Sequence, residues 1–82
     1  MAMVPLQAVF RGDFLVLLIA VDDRDTMDVV TQKVAHHVIH RRLRPQDATM
    51  RVQYKDRVLP TDQTVAQAGL SPMSFVEVFY DA

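Results

Sequence analysis

Asp25-Thr26-Met27-Asp28-Val29-Val30-Thr31-Gln32-Lys33-Val34-Ala35-His36-His37-Val38 is the stretch on which the fold turns. Thr26 is a good N-cap, because its hydroxyl can accept a first-turn backbone N–H, and Asp28 puts negative charge at the positive end of the helix dipole. Met27, Val30, Val34 and Val38 recur at i, i+3, i+7 and i+11, which draws one apolar stripe along a helix. The pattern predicts a helix from Met27 to about Arg42, with Arg41 and Arg42 complementing the C-terminal dipole and Pro45 as the stop.

Upstream, Val4 to Phe10 and the β-rich run Phe14 to Val21 flank the turn Arg11-Gly12-Asp13, which reads as a hairpin closed off by Asp22-Asp23-Arg24-Asp25. Downstream, Met50 to Lys55 alternates apolar and polar residues, and Val58-Leu59 supplies a short second leg. Thr64 to Gly69 reads as a single capped helical turn, and Phe75 to Tyr80 as a last strand. The order is two strands, a helix, two strands, a short turn and a strand. It predicts an α+β fold, a mixed sheet of about five strands packed on one helix, in a single domain over residues 1–82.

Composition narrows the chemistry. Half of the 82 residues are apolar, enough for a core, and there is no Cys to form a disulfide, a thiolate metal site or a thiol nucleophile. Nine Lys and Arg against ten Asp and Glu leave a net charge of −1, which points to no nucleic acid or anionic membrane partner. The only glycines, Gly12 and Gly69, cannot write a dinucleotide fingerprint or a phosphate loop. The first residues lack a signal-peptide pattern, and the longest apolar run is far below the ~20 residues of a membrane span, so a cytoplasmic location is expected.

One feature breaks the pattern of a sheet with one wet face. With Leu15, Leu17, Ile19 and Val21 turned to the helix, Phe14, Val16, Leu18 and Ala20 face outward and are also apolar. With Val76, Val78 and Tyr80 inward, Phe75 and Phe79 join that outer face around Glu77, while Arg51 and Gln53 keep the third strand polar outside. A contiguous apolar patch on a soluble chain marks a partner. Phe14, Val16, Leu18, Phe75 and Phe79 are therefore candidate partner-binding residues.

Catalytic patterns are sparse. Ser71 in Gly69-Leu70-Ser71-Pro72-Met73 has Met73 where a nucleophile elbow needs its second Gly. His36 and His40 lie at i, i+4 on the helix face opposite the stripe, a spacing that can share a metal, but no Cys or well-placed carboxylate completes a tetrahedral site. They read better as a partner-contacting face, and His37 as a residue at the core edge. Arg41, Arg42, Arg44, Arg51, Lys55 and Arg57 read as a solvated rim or a site for acidic protein partners. No catalytic, cofactor-binding or metal residues are assigned.

Asp25-Thr26 opening the helix, Pro45-Gln46-Asp47 after it, the strand pair around Val52 and Leu59, Thr64-Val65 with Leu70, and Val76-x-Val78 resemble ubiquitin. The resemblance implies a β-grasp in which the first and last strands are central and parallel. The chain ends Phe79-Tyr80-Asp81-Ala82 without the Gly-Gly tail of ubiquitin-type modifiers, so conjugation is not expected. Asp13-Phe14-Leu15-Val16, Asp25-Thr26-Met27-Asp28, Lys33-Val34-Ala35 with Arg41-Arg42, Met50-Arg51-Val52, and Ala68-Gly69-Leu70-Ser71-Pro72 resemble the small gamma subunit, or B protein, of bacterial toluene/o-xylene monooxygenase hydroxylases. That family implies large and medium hydroxylase subunits as partners and a carboxylate-bridged diiron centre in the large one. A chain with one Glu cannot supply the several Glu and Glu-x-x-His pairs of such a centre. The expected role is a non-catalytic structural subunit with no cofactor of its own. A free-standing ubiquitin-like adaptor and a small enzyme using the His cluster with a metal are the alternatives.

Overall fold

β1 (Met3–Phe10) and β2 (Leu17–Asp22) pair antiparallel, from Met3 opposite Asp22 to Ala8 opposite Leu17, in a computed structural model that describes residues 2–39 and 41–81. Period-two alternation decides the faces: Val4, Leu6, Ala8 and Phe10 are buried, as are Ile19 and Val21 across from them. The turn uses Gly12 at φ +97, a left-handed conformation that costs glycine little. The second strand starts later than expected. Asp13 is drawn to Arg42, whose Nε lies 3.0 Å from both carboxylate oxygens, and the chain rejoins the ladder only at Leu17. Phe14 and Val16 thus lie in a loop, and Leu15, expected to face the helix, is exposed.

α1 (Met27–Val38) starts where the sequence predicts, with the Thr26 side chain accepting the Val29 N–H at 3.4 Å. Met27, Val30, Val34 and Val38 are fully buried along the predicted stripe. Buried Thr31 satisfies its hydroxyl by donating to the Asp28 carbonyl at 2.6 Å. The helix ends about a turn before Arg42, because continuing it would carry the stripe onto Arg41 and Arg42 and drive charge into the core. Ile39 instead turns extended, and the Val38 carbonyl collects the N–H groups of Arg41, Arg42 and Leu43. Arg41 Nε and Arg42 Nη2 then donate to the carbonyls of His36 and His37, each at 3.3 Å, so the two arginines cap the helix from beyond its end.

β3 (Thr49–Tyr54) and β4 (Arg57–Leu59) form a second hairpin, and α2 (Val65–Ala68) is a single turn closed by a full capping box between Thr64 and Gln67. Gly69 ends it at φ +75. β5 (Phe75–Asp81) runs parallel to β1 and antiparallel to β3, giving the order β2-β1-β5-β3-β4. This is the expected mixed five-stranded sheet over one helix, with β1 and β5 adjacent and parallel. The two helix starts are tied together: Met27 N–H donates to Gln63 O at 2.9 Å and Val65 N–H to Asp25 O at 2.8 Å. Among the described residues no helix is long and apolar enough to cross a membrane.

Candidate functional site

The face of the sheet turned away from α1 divides into two regions. Register aligns Leu18 with Gln7 and Gln7 with Phe75 across three strands, and Ala20 with Pro5 beside them. Leu18 is 66% exposed and Phe75 49%, and Met3 and Met73 are open at the same end. Phe14, at 81%, and Val16 are exposed in the loop that leads into β2. Apolar exposure therefore concentrates along β2, its loop, and the start of β5.

The opposite end of that face is polar, and this corrects the expectation for Phe79. Its side chain points outward as the alternation requires, yet it is only 8% exposed, because the Arg11 guanidinium lies over its ring at 4.2 Å from the centroid. Arg11 is held there by Glu77, to which its Nε donates at 3.1 Å, and by Gln53 Oε1 at 3.0 Å from Nη2. Arg51 and Asp81 extend this belt with a contact of 3.3 Å. Phe79 is thus covered by Arg11 rather than open on the outer face.

Beside β2 the sheet and α1 leave a groove of about 370 Å³, with Leu18, Ile19 and Ala20 on one wall and Val29, Gln32, Lys33 and His36 on the other. Lys33 Nζ reaches Asp25 at 2.8 Å and approaches the Ala20 carbonyl at 3.5 Å. Burial acts to raise the pKa of Asp25, but the Lys33 ammonium and the Asp22 N–H at 3.0 Å outweigh it and hold this carboxyl below its ordinary value.

His36 is exposed on this wall as predicted, and His40 lies outside the described residues. His37, expected at the core edge, is exposed too, with its ring edge-on to His36 at 5.3 Å, because the stripe has already placed Val34 and Val38 on the buried side. No group of three or more metal-ligating side chains occurs among the described residues. Ser71 sits between α2 and β5 with its hydroxyl 3.3 Å from that of Ser74, and Met73 adopts φ +68 at the position where an elbow would have its second Gly. The Arg11 cover joins residues from opposite ends of the chain, and the groove joins β2 to the following α1, so neither was legible in a single local window.

A family model for toluene-4-monooxygenase system protein B (TmoB) matches residues 3–80. The gamma subunit of the hydroxylase component of the toluene-4-monooxygenase system of Ectopseudomonas mendocina is 40% identical over 83 residues, covering 99% of both chains. Among solved structures, a chain of a toluene 4-monooxygenase HD complex with the inhibitor 4-bromobenzoate superposes with a TM-score of 0.94 at 39% identity, covering 98% of this chain and all of that one. Caldiarchaeum subterraneum ubiquitin follows the same fold with a TM-score of 0.76 at 22% identity, over 99% of this chain and 96% of that one.

Proposed function

The chain belongs to the toluene-4-monooxygenase system protein B family, and from that premise we propose that it is the gamma subunit of a multicomponent aromatic monooxygenase hydroxylase. It serves there as a non-catalytic structural part in the cytoplasm, bound to the large and medium subunits. The observation that carries this reading is the full-length likeness to a hydroxylase gamma subunit. Apolar side chains left in the open along β2 and at the start of β5 support it, since such exposure is what an assembled subunit conceals.

Several of the chain's carboxylates are engaged in structure. Glu77, the only Glu, is occupied by Arg11, and Asp13 and Asp25 are paired with Arg42 and Lys33. The diiron centre that activates O₂ for hydroxylation of the aromatic ring belongs, in this reading, to the large subunit. Leu18 and Phe75, with Phe14 and Val16, are the docking residues we assign, and His36 borders them. Burying three or four such side chains contributes ~1.5–3 kcal/mol each before the costs of association, enough for a stable complex.

Co-expression with the cognate large and medium subunits tests this. The chain is expected to co-purify with them in stoichiometric amount, with all iron in the larger subunits and none in the chain expressed alone. A free monomer that ignores the large subunit would overturn the reading.

A further inference from the structure

The first hairpin stops short of closing. Its register, which ends at Ala8 opposite Leu17, would continue through Val9–Val16, Phe10–Leu15 and Arg11–Phe14 and leave Gly12-Asp13 as a two-residue turn. Those pairs are not made. In β1 the Gln7 N–H donates to Ser74 O at 3.0 Å and the Pro5 carbonyl accepts from Met73 N–H at 2.6 Å, so both residues face β5. The alternate ones, Leu6, Ala8 and Phe10, turn their backbone groups to β2. The Phe10 carbonyl, which a closed hairpin would offer to the Leu15 N–H, accepts the Asp13 N–H at 2.8 Å instead. The turn therefore runs from Phe10 to Asp13, one residue earlier than a closed hairpin needs. Gly12 stands third in it at φ +97, where a type II turn requires a positive φ, and such turns splay the flanking strands. No backbone hydrogen bond among the described residues engages Phe14, Leu15 or Val16.

The loop is pinned from the end of α1. Arg42 Nε lies 3.0 Å from both Asp13 carboxylate oxygens, its Nη2 donates to His37 O, and Leu43 lies against Gly12, 3.8 Å from where a Cβ would stand. We propose that the Asp13–Arg42 pair is a clamp that holds this hairpin unzipped and so presents Phe14, Leu15 and Val16 for docking, with Asp13 and Arg42 as positioning residues. The docking half rests on the chain being a hydroxylase subunit; the clamp itself does not. A closed hairpin would turn Leu15 to the helix side beside buried Phe10 and lay Phe14 and Val16 on the outer face. The open loop exposes all three and forgoes both the ladder bonds and the burial of Leu15, which only an assembly restores. Against apolar packing of the same volume a buried ion pair gains little stability, but it fixes one geometry. A loop fixed before binding need not be ordered during it.

Amide exchange of the free chain, followed by NMR, reads the clamp. In Asp13→Asn and in Arg42→Gln the hairpin should zip, so the Leu15 amide should exchange about tenfold or more slowly than in the wild type. Loss of a merely stabilising pair would leave that amide unchanged or faster. Arg41→Ala, which loses a helix-end bond but not Asp13, should leave Leu15 exchange as it is, and slowing there too would overturn the assignment to Asp13. The folded Asp13→Asn and Arg42→Gln chains should bind the larger hydroxylase subunits about tenfold or more weakly. A Leu15 amide that exchanges no more slowly in either clamp variant overturns the clamp. Binding within about twofold of the wild type, or tighter, overturns its part in docking. If the wild-type chain does not bind those subunits at all, the reading as a hydroxylase subunit fails and the docking role with it, while Leu15 exchange still decides the clamp.

Discussion

Arg11 determines what Phe79 presents to the outside. Alternation along β5 puts Phe79 on the outer face, and that much is legible locally. Its cover comes from a turn residue whose partner Glu77 lies 66 positions away, which no window of the sequence contains. Arg11→Ala should strip the ring and free Glu77, costing about 1 kcal/mol, since a surface cation over an aromatic and an exposed ion pair are each modest. In a domain of this size that lowers the melting temperature by about 4–8 °C, measurable by circular dichroism. Asp25 offers a test in pH. Its folded pKa lies below the unfolded value of about 3.9, so its contribution is fully present above that pH and is lost as pH falls through the folded pKa. Asp25→Asn should therefore be less stable than the wild type at neutral pH, with the gap in urea midpoint closing below about pH 4.

At the level of elements, starts are easier to read than ends. Thr26 and Thr64 announce both helices because capping is a local transaction between a side chain and the next turn. The sequence predicts α1 to run to about Arg42, a turn too far, because Arg41 and Arg42 suit the C-terminal end of a helix dipole as well as they suit a stop. That those arginines then fold back onto the carbonyls of His36 and His37 is a tertiary choice, set by Arg42 meeting Asp13 from the β1–β2 loop, 29 positions away. The Asp13 side chain is 1% exposed, so Arg42 neutralises a carboxylate with little access to water. Arg42→Ala should cost about 2 kcal/mol, as for a lost hydrogen bond to a charged group. Arg41→Ala, which loses a bond to a backbone carbonyl at an exposed site, should cost no more than about 0.5 kcal/mol. Urea denaturation of the two variants separates these outcomes; equal losses would mean that Asp13 does not depend on Arg42.

For the whole molecule, periodicity placed the sheet faces and most of the core, Leu15 and His37 excepted, but the extent of the open apolar surface depends on how distant segments cover one another. Leu18 and Phe79 looked equivalent in the sequence, and charging each now has a different expected result. Leu18→Asp replaces an exposed side chain, so the free chain should keep its stability within about 0.5 kcal/mol. Its association with the large subunit should weaken by about a hundredfold, the equivalent of about 2.7 kcal/mol, as expected when a side chain buried on assembly becomes a carboxylate. Phe79→Asp instead puts a charge beneath Arg11 in a covered site and should destabilise the free chain itself. Assembly adds a further readout, because a partner that binds only the folded chain stabilises it by about 2.7 kcal/mol at a hundred times the dissociation constant. The wild-type chain should therefore melt many degrees higher in the hydroxylase than alone, and Leu18→Asp should lose most of that increment while its free melting temperature stays the same. A Leu18→Asp chain that keeps the full increment would remove Leu18 from the interface and shift the docking surface to Phe75 and the far side of the sheet.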